Sequence, residues 1–193
     1  MGRKAKFDKE RFVQAAMELL AEGGLGAVTM QAVAERTGGP IGSLYHRFAS
    51  RDHLMAELWI TVVEQFQSGF LDRLAGGDVP GAALYTPQWV RKHPAEARVL
   101  LLYRREDLIA GNWPEETKQR AERLALDLDE GLRTFINRQF GGTKTGQSIR
   151  VQFALIDVPF GAVKRYLDMG RKIPQIVDDL VLETVTAILG ERA

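Results

Sequence analysis

The sequence predicts an all-α protein: an N-terminal three-helix helix-turn-helix domain, then a C-terminal helical bundle domain, about nine helices in total. Apolar residues recur at a period near 3.6, and no stretch alternates as a half-buried strand does. Glycine pairs and isolated prolines punctuate the chain at helix-length intervals. With 193 residues, 45% of them hydrophobic and 26% charged, the chain has material for a sizeable core without staples. It contains no cysteine, which excludes disulfide scaffolds, thiolate metal sites and cysteine nucleophiles.

The first helix is expected from about Asp8 to Glu22, because Phe12, Ala15, Ala16, Leu19 and Leu20 form one stripe. Gly23-Gly24 ends it, since glycine enters the left-handed region without a Cβ clash. Thr29 is placed to cap a second helix over Met30 to Thr37, with Met30, Val33 and Ala34 inward. After Gly38-Gly39, Pro40 opens a short third helix extending to about Phe48. Ser50 caps a long fourth, in which Leu54, Leu58, Val62, Phe66 and Phe70 step by four. Beyond a breaker run at 75–81, helices are expected near Ala82–Lys92, Pro94–Asp107, Pro114–Phe140, Gly146–Arg171 and Pro174–Leu189. Pro159 interrupts the penultimate one, where it removes a backbone hydrogen bond and predicts a kink.

Formal charge is nearly balanced at +1, but it is unevenly spread. Residues 1–53 carry +2 and residues 54–193 carry −1, and Arg3, Lys4 and Lys6 form a basic arm at the start. Such an arm hints at nucleic acid, although a solvated tail is also basic. No apolar run reaches the length needed to cross a bilayer, and none follows the basic start as in a signal peptide, so the expected location is cytoplasmic.

Residues 28–59 are the most informative. Two short helices meet at a glycine-containing turn, which is helix-turn-helix spacing. The second is too short to persist alone, so packing must hold it. Leu44 and Phe48, four residues apart, supply an inner face; Gly42, Ser43, Tyr45 and His46 then turn outward, with Arg47 at the edge. That outer set suits the DNA major groove.

The run Thr29-Met30-Gln31-Ala32-Val33-Ala34-Glu35-Arg36-Thr37-Gly38, then Gly42-Ser43-Leu44-Tyr45-His46-Arg47-Phe48, then Ser50-Arg51-Asp52-His53-Leu54, resembles the DNA-binding domain of TetR-type transcriptional regulators. With the first helix the resemblance covers about 47 residues from Asp8. It implies an all-helical homodimer whose N-terminal domain, residues 1–53, binds a palindromic operator. Residues 54–193 would bind a small-molecule effector and dimerise, with effector binding releasing DNA. Carried over by position, Gln31 would reach a base from the second helix, and Ile41, Gly42 and Ser43 would begin the base-reading helix. Tyr45, Arg47 and Arg51 would hold phosphates, and Thr29 would touch phosphate while capping; His46 stands on the same outer face. Two positions depart from the pattern. Ile41 replaces a frequent Lys or Arg, so it reads a thymine methyl or is half buried. Pro40 replaces a frequent Ser or Ala and leaves no hydroxyl for a phosphate.

In the second half, Ile149, Phe153, Ile156, Phe160, Val163 and Leu167 form one apolar line, and Val151, Leu155, Val158, Ala162, Tyr166 and Met169 another. The last helix is also broadly apolar. A helix apolar on two sides needs two partners, so Phe153, Ile156, Phe160, Val163, Leu167, Leu180, Val181 and Ile188 are candidates for a dimer interface, as the resemblance also implies. A helix buried wholly within one subunit is the alternative. Trp59, Phe66, Trp89, Tyr103, Trp113 and Phe135 either line an aromatic effector cavity or form plain core. Asp157, a carboxylate in an apolar run, meets a ligand or a basic side chain, or else lies at an exposed edge.

No enzyme is expected. The three histidines form no metal-ligand spacing, no nucleophile elbow, phosphate loop or dinucleotide fingerprint occurs, and neither metal nor cofactor is called for. The carboxylates at 115–116 and 127–130 share their helix with Arg120, Arg123 and Arg133 and read as a charge-paired face. The sequence therefore predicts a ligand-responsive regulator. A helical ligand carrier or enzyme with a coincidental N-terminal motif, or a helical adaptor for a partner protein, is the alternative.

Overall fold

A computed structural model describes residues 8–102, 113–142 and 145–190. Among them there is no strand. The helices are α1 (Lys9–Gly23), α2 (Met30–Thr37), α3 (Ile41–Tyr45), α4 (Arg51–Gly76), α5 (Val79–Lys92), α6 (Pro94–Leu102), α7 (Glu115–Phe140), α8 (Thr145–Gln152), α9 (Val158–Asp168) and α10 (Ile176–Leu189). A 3₁₀ turn, Leu25–Ala27, precedes α2, and a π turn, Phe153–Asp157, joins α8 to α9. The expected all-helical class is what the chain adopts.

Contacts divide the chain into two units. One holds Met1–Val63 with Arg98–Ala121, and the other Glu64–Ala97 with Glu122–Ala193. The divisions fall inside α4, α6 and α7.

The first unit is built on Phe12, Ala16, Leu20, Val28, Val33, Leu44, Phe48, Leu54 and Leu58, all fully or almost fully buried. Phe48 lies edge-on to Phe12 at 6.5 Å between ring centres. Asp8 caps α1 by accepting from the Arg11 amide at 3.0 Å, and Gly24 ends it at φ 74°.

In the second unit Phe66 of α4 meets Tyr85, Trp89 and Phe160 edge-on, at 5.2, 5.1 and 5.6 Å between ring centres. Gly69 lets Tyr85 approach α4, because a Cβ there would collide with the Tyr85 hydroxyl oxygen. Arg91 ties α5 to the start of α10: its guanidinium grips Asp178 at 2.7 and 2.9 Å and donates to the Pro174 carbonyl at 3.1 Å.

Three boundaries differ from the sequence expectation. Helix α5 begins at Val79, earlier than Ala82, because Asp78 caps it through the Gly81 amide (2.9 Å) and Pro80 sits in the first turn, where a missing N–H costs little. Around Pro159 the chain relaxes through the preceding π turn, in which the Val158 amide reaches back to Phe153 O. Helix α3 is only five residues, with Pro40 as its cap and not its first residue. The part of the expected Pro94–Asp107 helix beyond Leu102 lies outside the described residues.

Candidate nucleic-acid interface

The turn between α2 and α3 is fixed from both sides. Thr29 caps α2 by accepting from the Ala32 amide at 3.0 Å. At the other end Gly38 takes the left-handed conformation, φ 65° and ψ 21°, and the Gly39 amide returns to Ala34 O at 3.1 Å. The Thr37 hydroxyl donates back into α2, and Arg11 Nη2 donates to Thr37 O at 2.8 Å, so α1 also holds the turn. Pro40 then presets the entry to α3, and the Ser43 amide bonds Pro40 O at 2.9 Å.

Helix α3 is supported from within. Leu44 and Phe48 are fully buried, and the Phe48 amide bonds Leu44 O at 2.9 Å. The opposite side is solvent-facing: Pro40, Ile41, Gly42, Tyr45 and His46 are exposed, and Ser43 and Arg47 are half-buried. On α2, Thr29 and Gln31 are exposed as well.

Both arginines expected at phosphates, Arg47 and Arg51, have intramolecular partners. Arg47 Nη1 donates to Ser43 O at 3.1 Å, within its own turn. Arg51 donates through Nε to Val28 O at 2.6 Å and through Nη2 to Leu25 O at 2.7 Å. Arg51 thus clamps the 3₁₀ turn that precedes α2. Gln31 Nε2 bonds Glu35 Oε1 at 2.7 Å, an exposed i,i+4 pair that competes weakly with solvent or a base. On the outer side of α1 and α2, Arg36 grips Glu22 at 2.7 and 3.0 Å; this hydrogen bonding holds the Glu22 carboxyl below its usual range and Arg36 above its own.

Residues 12–58 match the family described as bacterial regulatory proteins, tetR family. The chain carries a TetR-type DNA-binding domain. The TetR-like fold extends over the whole chain in solved structures. A Bacillus subtilis FadR regulator in complex with stearoyl-CoA is 15% identical with a TM-score of 0.68, covering 95% of this chain and 98% of its own. A tetR-family regulator from Shewanella sp. PV-4 is 16% identical with a TM-score of 0.67, covering 94% and 96%. One from Streptomyces coelicolor is 21% identical with a TM-score of 0.62, covering 96% and 99%. No curated protein matches by sequence. At these identities the structural likeness establishes the TetR-like fold.

The other expected site residues are distributed unevenly. Phe66 and Trp89 touch in the second unit. Trp59 and Trp113 belong to the first unit, and Tyr103 and the basic arm at Arg3, Lys4 and Lys6 lie outside the described residues. Phe135 is core, 1% exposed. Asp157 is exposed, the edge position that the sequence left open beside a ligand or a basic partner, and solvent can satisfy its carboxylate there. The dimer candidates split too. Val163, Leu167 and Val181 are buried within their own unit, because the helix turns those positions toward α5 and its neighbours. Ile156, Phe160 and Ile188 are half-buried. Phe153 and Leu180 are about half exposed, as are Ile149 and Ile176, each four residues from one of them.

A cluster that the sequence did not single out lies in the first unit. Glu57 is buried, yet polar and charged groups from two other helices, α1 and α7, converge on it: Lys9 at 2.8 Å, Arg120 at 2.6 Å and the Thr117 hydroxyl at 2.9 Å. Burial alone would raise the Glu57 carboxyl. The hydrogen bonds from Lys9 and Thr117 and the charges of Lys9 and Arg120 outweigh it and hold the group below its ordinary value. His53, one turn earlier, is pushed down by burial and by Lys9, against the pull of Glu57. Its Nδ1 accepts from the Ala49 amide at 3.3 Å, which suits the neutral ring. Among the described residues no group of His, Asp and Glu could hold a metal ion.

Proposed function

We propose that the chain is a non-enzymatic, ligand-responsive transcriptional repressor of the cytoplasm that binds a palindromic operator as a homodimer. One observation carries this reading: within a TetR-type domain, a short helix anchored by buried Leu44 and Phe48 turns an exposed face to solvent. In this reading residues 1–53 bind DNA and residues 54–193 bind the effector and dimerise. Gln31, Ile41, Gly42, Ser43 and His46 address the major groove. Thr29, Tyr45 and Arg47 address phosphates. Arg51, with Nε and Nη2 engaged on carbonyls, contributes mainly by holding the start of α2.

Exposed Ile149, Phe153, Ile176 and Leu180 support dimerisation, since their apolar surface lacks full cover among the described residues. The stearoyl-CoA in the Bacillus subtilis FadR structure makes long-chain acyl compounds the first class to assay.

The test is duplex binding by fragments selected from the protein's own genome, measured against salt. If a dimer neutralises about six to eight phosphates, log K falls against log salt with a slope of roughly −5 to −7. Half-site centres should lie about 34–36 Å apart, or somewhat more. Absence of any salt-dependent duplex binding would favour the carrier, enzyme or adaptor alternative.

A further inference from the structure

Between Pro40 and His46 there is no Lys, Arg, Asn, Gln, Asp or Glu, the side chains that most often read base edges by paired hydrogen bonds. The exposed face instead carries two large apolar side chains, Ile41 at 40% exposure and Tyr45 at 50%. They stand four residues apart and so lie one above the other on the same side of α3. Gly42, next to Ile41, leaves open space: nothing lies within 4 Å of where its Cβ would be. Ile41 thus keeps 40% of its surface free at the end of the helix that begins the exposed face, and Gly42 beside it adds no side chain over that part.

Apolar surface held in water at a recognition face gains only if the partner covers it with apolar surface. In the major groove the apolar group projecting from a base edge is the C5-methyl of thymine. We infer that Ile41, flanked by Tyr45, is a specificity-determining residue that selects a thymine in each half-site through its C5-methyl. This rests on the DNA-binding reading above and adds to it the chemistry by which α3 discriminates. Selection of this kind separates thymine from cytosine by shape and apolar contact. It leaves Ser43 and His46 as the hydrogen-bonding members of the face, and it places the discriminating contact on a side chain that α3 does not need for its own packing.

The experiment acts on the DNA as well as the protein, so misfolding cannot imitate the result. Each thymine of a selected half-site is replaced by deoxyuracil, symmetrically in both half-sites, which removes one methyl and leaves base pairing intact. Affinity is measured at fixed salt for the wild type and for Ile41→Ala and Ile41→Val. At one thymine position the wild type should lose about fourfold per half-site, or roughly fifteenfold for both, as expected for one buried methyl each. At that position the uracil penalty should fall below twofold in Ile41→Ala and be intermediate in Ile41→Val. Equal binding of every uracil duplex by the wild type overturns the inference, as does an undiminished penalty in Ile41→Ala, while both leave DNA binding itself intact. Failure to bind any duplex with salt-dependent affinity overturns the inference together with the reading it rests on.

Discussion

Replacing Glu57 by alanine tests whether its cluster holds the first unit together or merely decorates it. The carboxylate is 4% exposed and is reached by Lys9 Nζ, Arg120 Nη1 and the Thr117 hydroxyl, from α1 and from the start of α7. Removing one member of a buried pair costs about 3–5 kcal/mol when the remaining charge stays buried. Here the cations that lose Glu57 are not fully buried: Lys9 is 44% exposed and Arg120 25%, so both can turn to water and recover part of that cost. The Thr117 hydroxyl, in a residue only 2% exposed, has less freedom and adds about 1–3 kcal/mol if left unpaired. A net loss of about 3 kcal/mol follows for Glu57→Ala, or a fall in Tm of roughly 6–12 °C for a chain of this size. Lys9→Ala should cost less than about 1 kcal/mol, since it removes the most exposed partner, and Arg120→Ala should fall between. Denaturant unfolding of the three variants at neutral pH measures the order. Were Glu57→Ala to cost no more than Lys9→Ala, the cluster would contribute nothing beyond an ordinary surface pair, and the argument from burial would be wrong.

The remaining predictions use other parts of the molecule. Acidification should destabilise the fold in two steps. The unfolded His53 takes up its proton near 6.5 while the folded ring resists, so its stabilising contribution is lost as pH falls from that value through the lowered folded pKa. Glu57, depressed in the fold, adds a second loss as pH falls from about 4.5 through its own lowered pKa; Glu57→Gln should reduce that second step in acid-unfolding curves, leaving the share of exposed Glu22. Gly42→Ala should raise stability by up to about 1 kcal/mol through helix propensity, yet weaken operator binding measured in parallel, because the new methyl points into open space on the outer face. Gly38→Ala should instead lower stability by about 1–2 kcal/mol in the same unfolding assay, since φ 65° is strained for any side chain. Arg47→Ala should weaken binding to all sequences and reduce the salt slope of a dimer by nearly 2, whereas Gln31→Ala should relax sequence preference at constant slope. Phe153→Glu with Leu180→Glu should shift the sedimentation behaviour from dimer toward monomer.

The helix-turn-helix region was the most readable part of the sequence, and its chemistry explains why. Helix α2 begins after Thr29 and ends at Gly38, as the cap and the left-handed glycine dictate locally. The inner and outer faces of α3 follow from Leu44 and Phe48 alone. Its length did not, because Pro40 can serve as cap or as first residue, and only the backbone settles which. The Glu57 cluster was invisible for a different reason. Its members come from positions 9, 53, 57, 117 and 120, and a lone carboxylate inside α4 carries no local sign of partners so distant in sequence. In the second unit the apolar lines of α8 to α10 were legible but their division was not. Val163, Leu167 and Val181 pack inward and Phe153 and Leu180 outward, a phase set partly by the π turn, which shifts the register of the helix ahead of Pro159.

The way α3 is held bears on how such a protein acquires a new operator. Five residues cannot sustain a helix by propensity, so the position of α3 is dictated by Leu44, Phe48 and the bonded turn from Thr37 to Pro40. Apart from Pro40, none of these anchors lies on the outer face. Substitutions at Ile41, Gly42, Tyr45 or His46 therefore change what the face offers while leaving what holds it untouched. Stability and specificity are additive to the extent that the two sets share no contacts, and here they share only the backbone of one turn. The exchange Ile41→Lys, at a side chain 40% exposed and apart from the buried anchors Leu44 and Phe48, should accordingly leave the unfolding free energy within about 0.5 kcal/mol of the wild type while altering which duplexes are selected. A large loss of stability in that variant would mean that Ile41 supports the fold, and the separation of the two faces would fail with it.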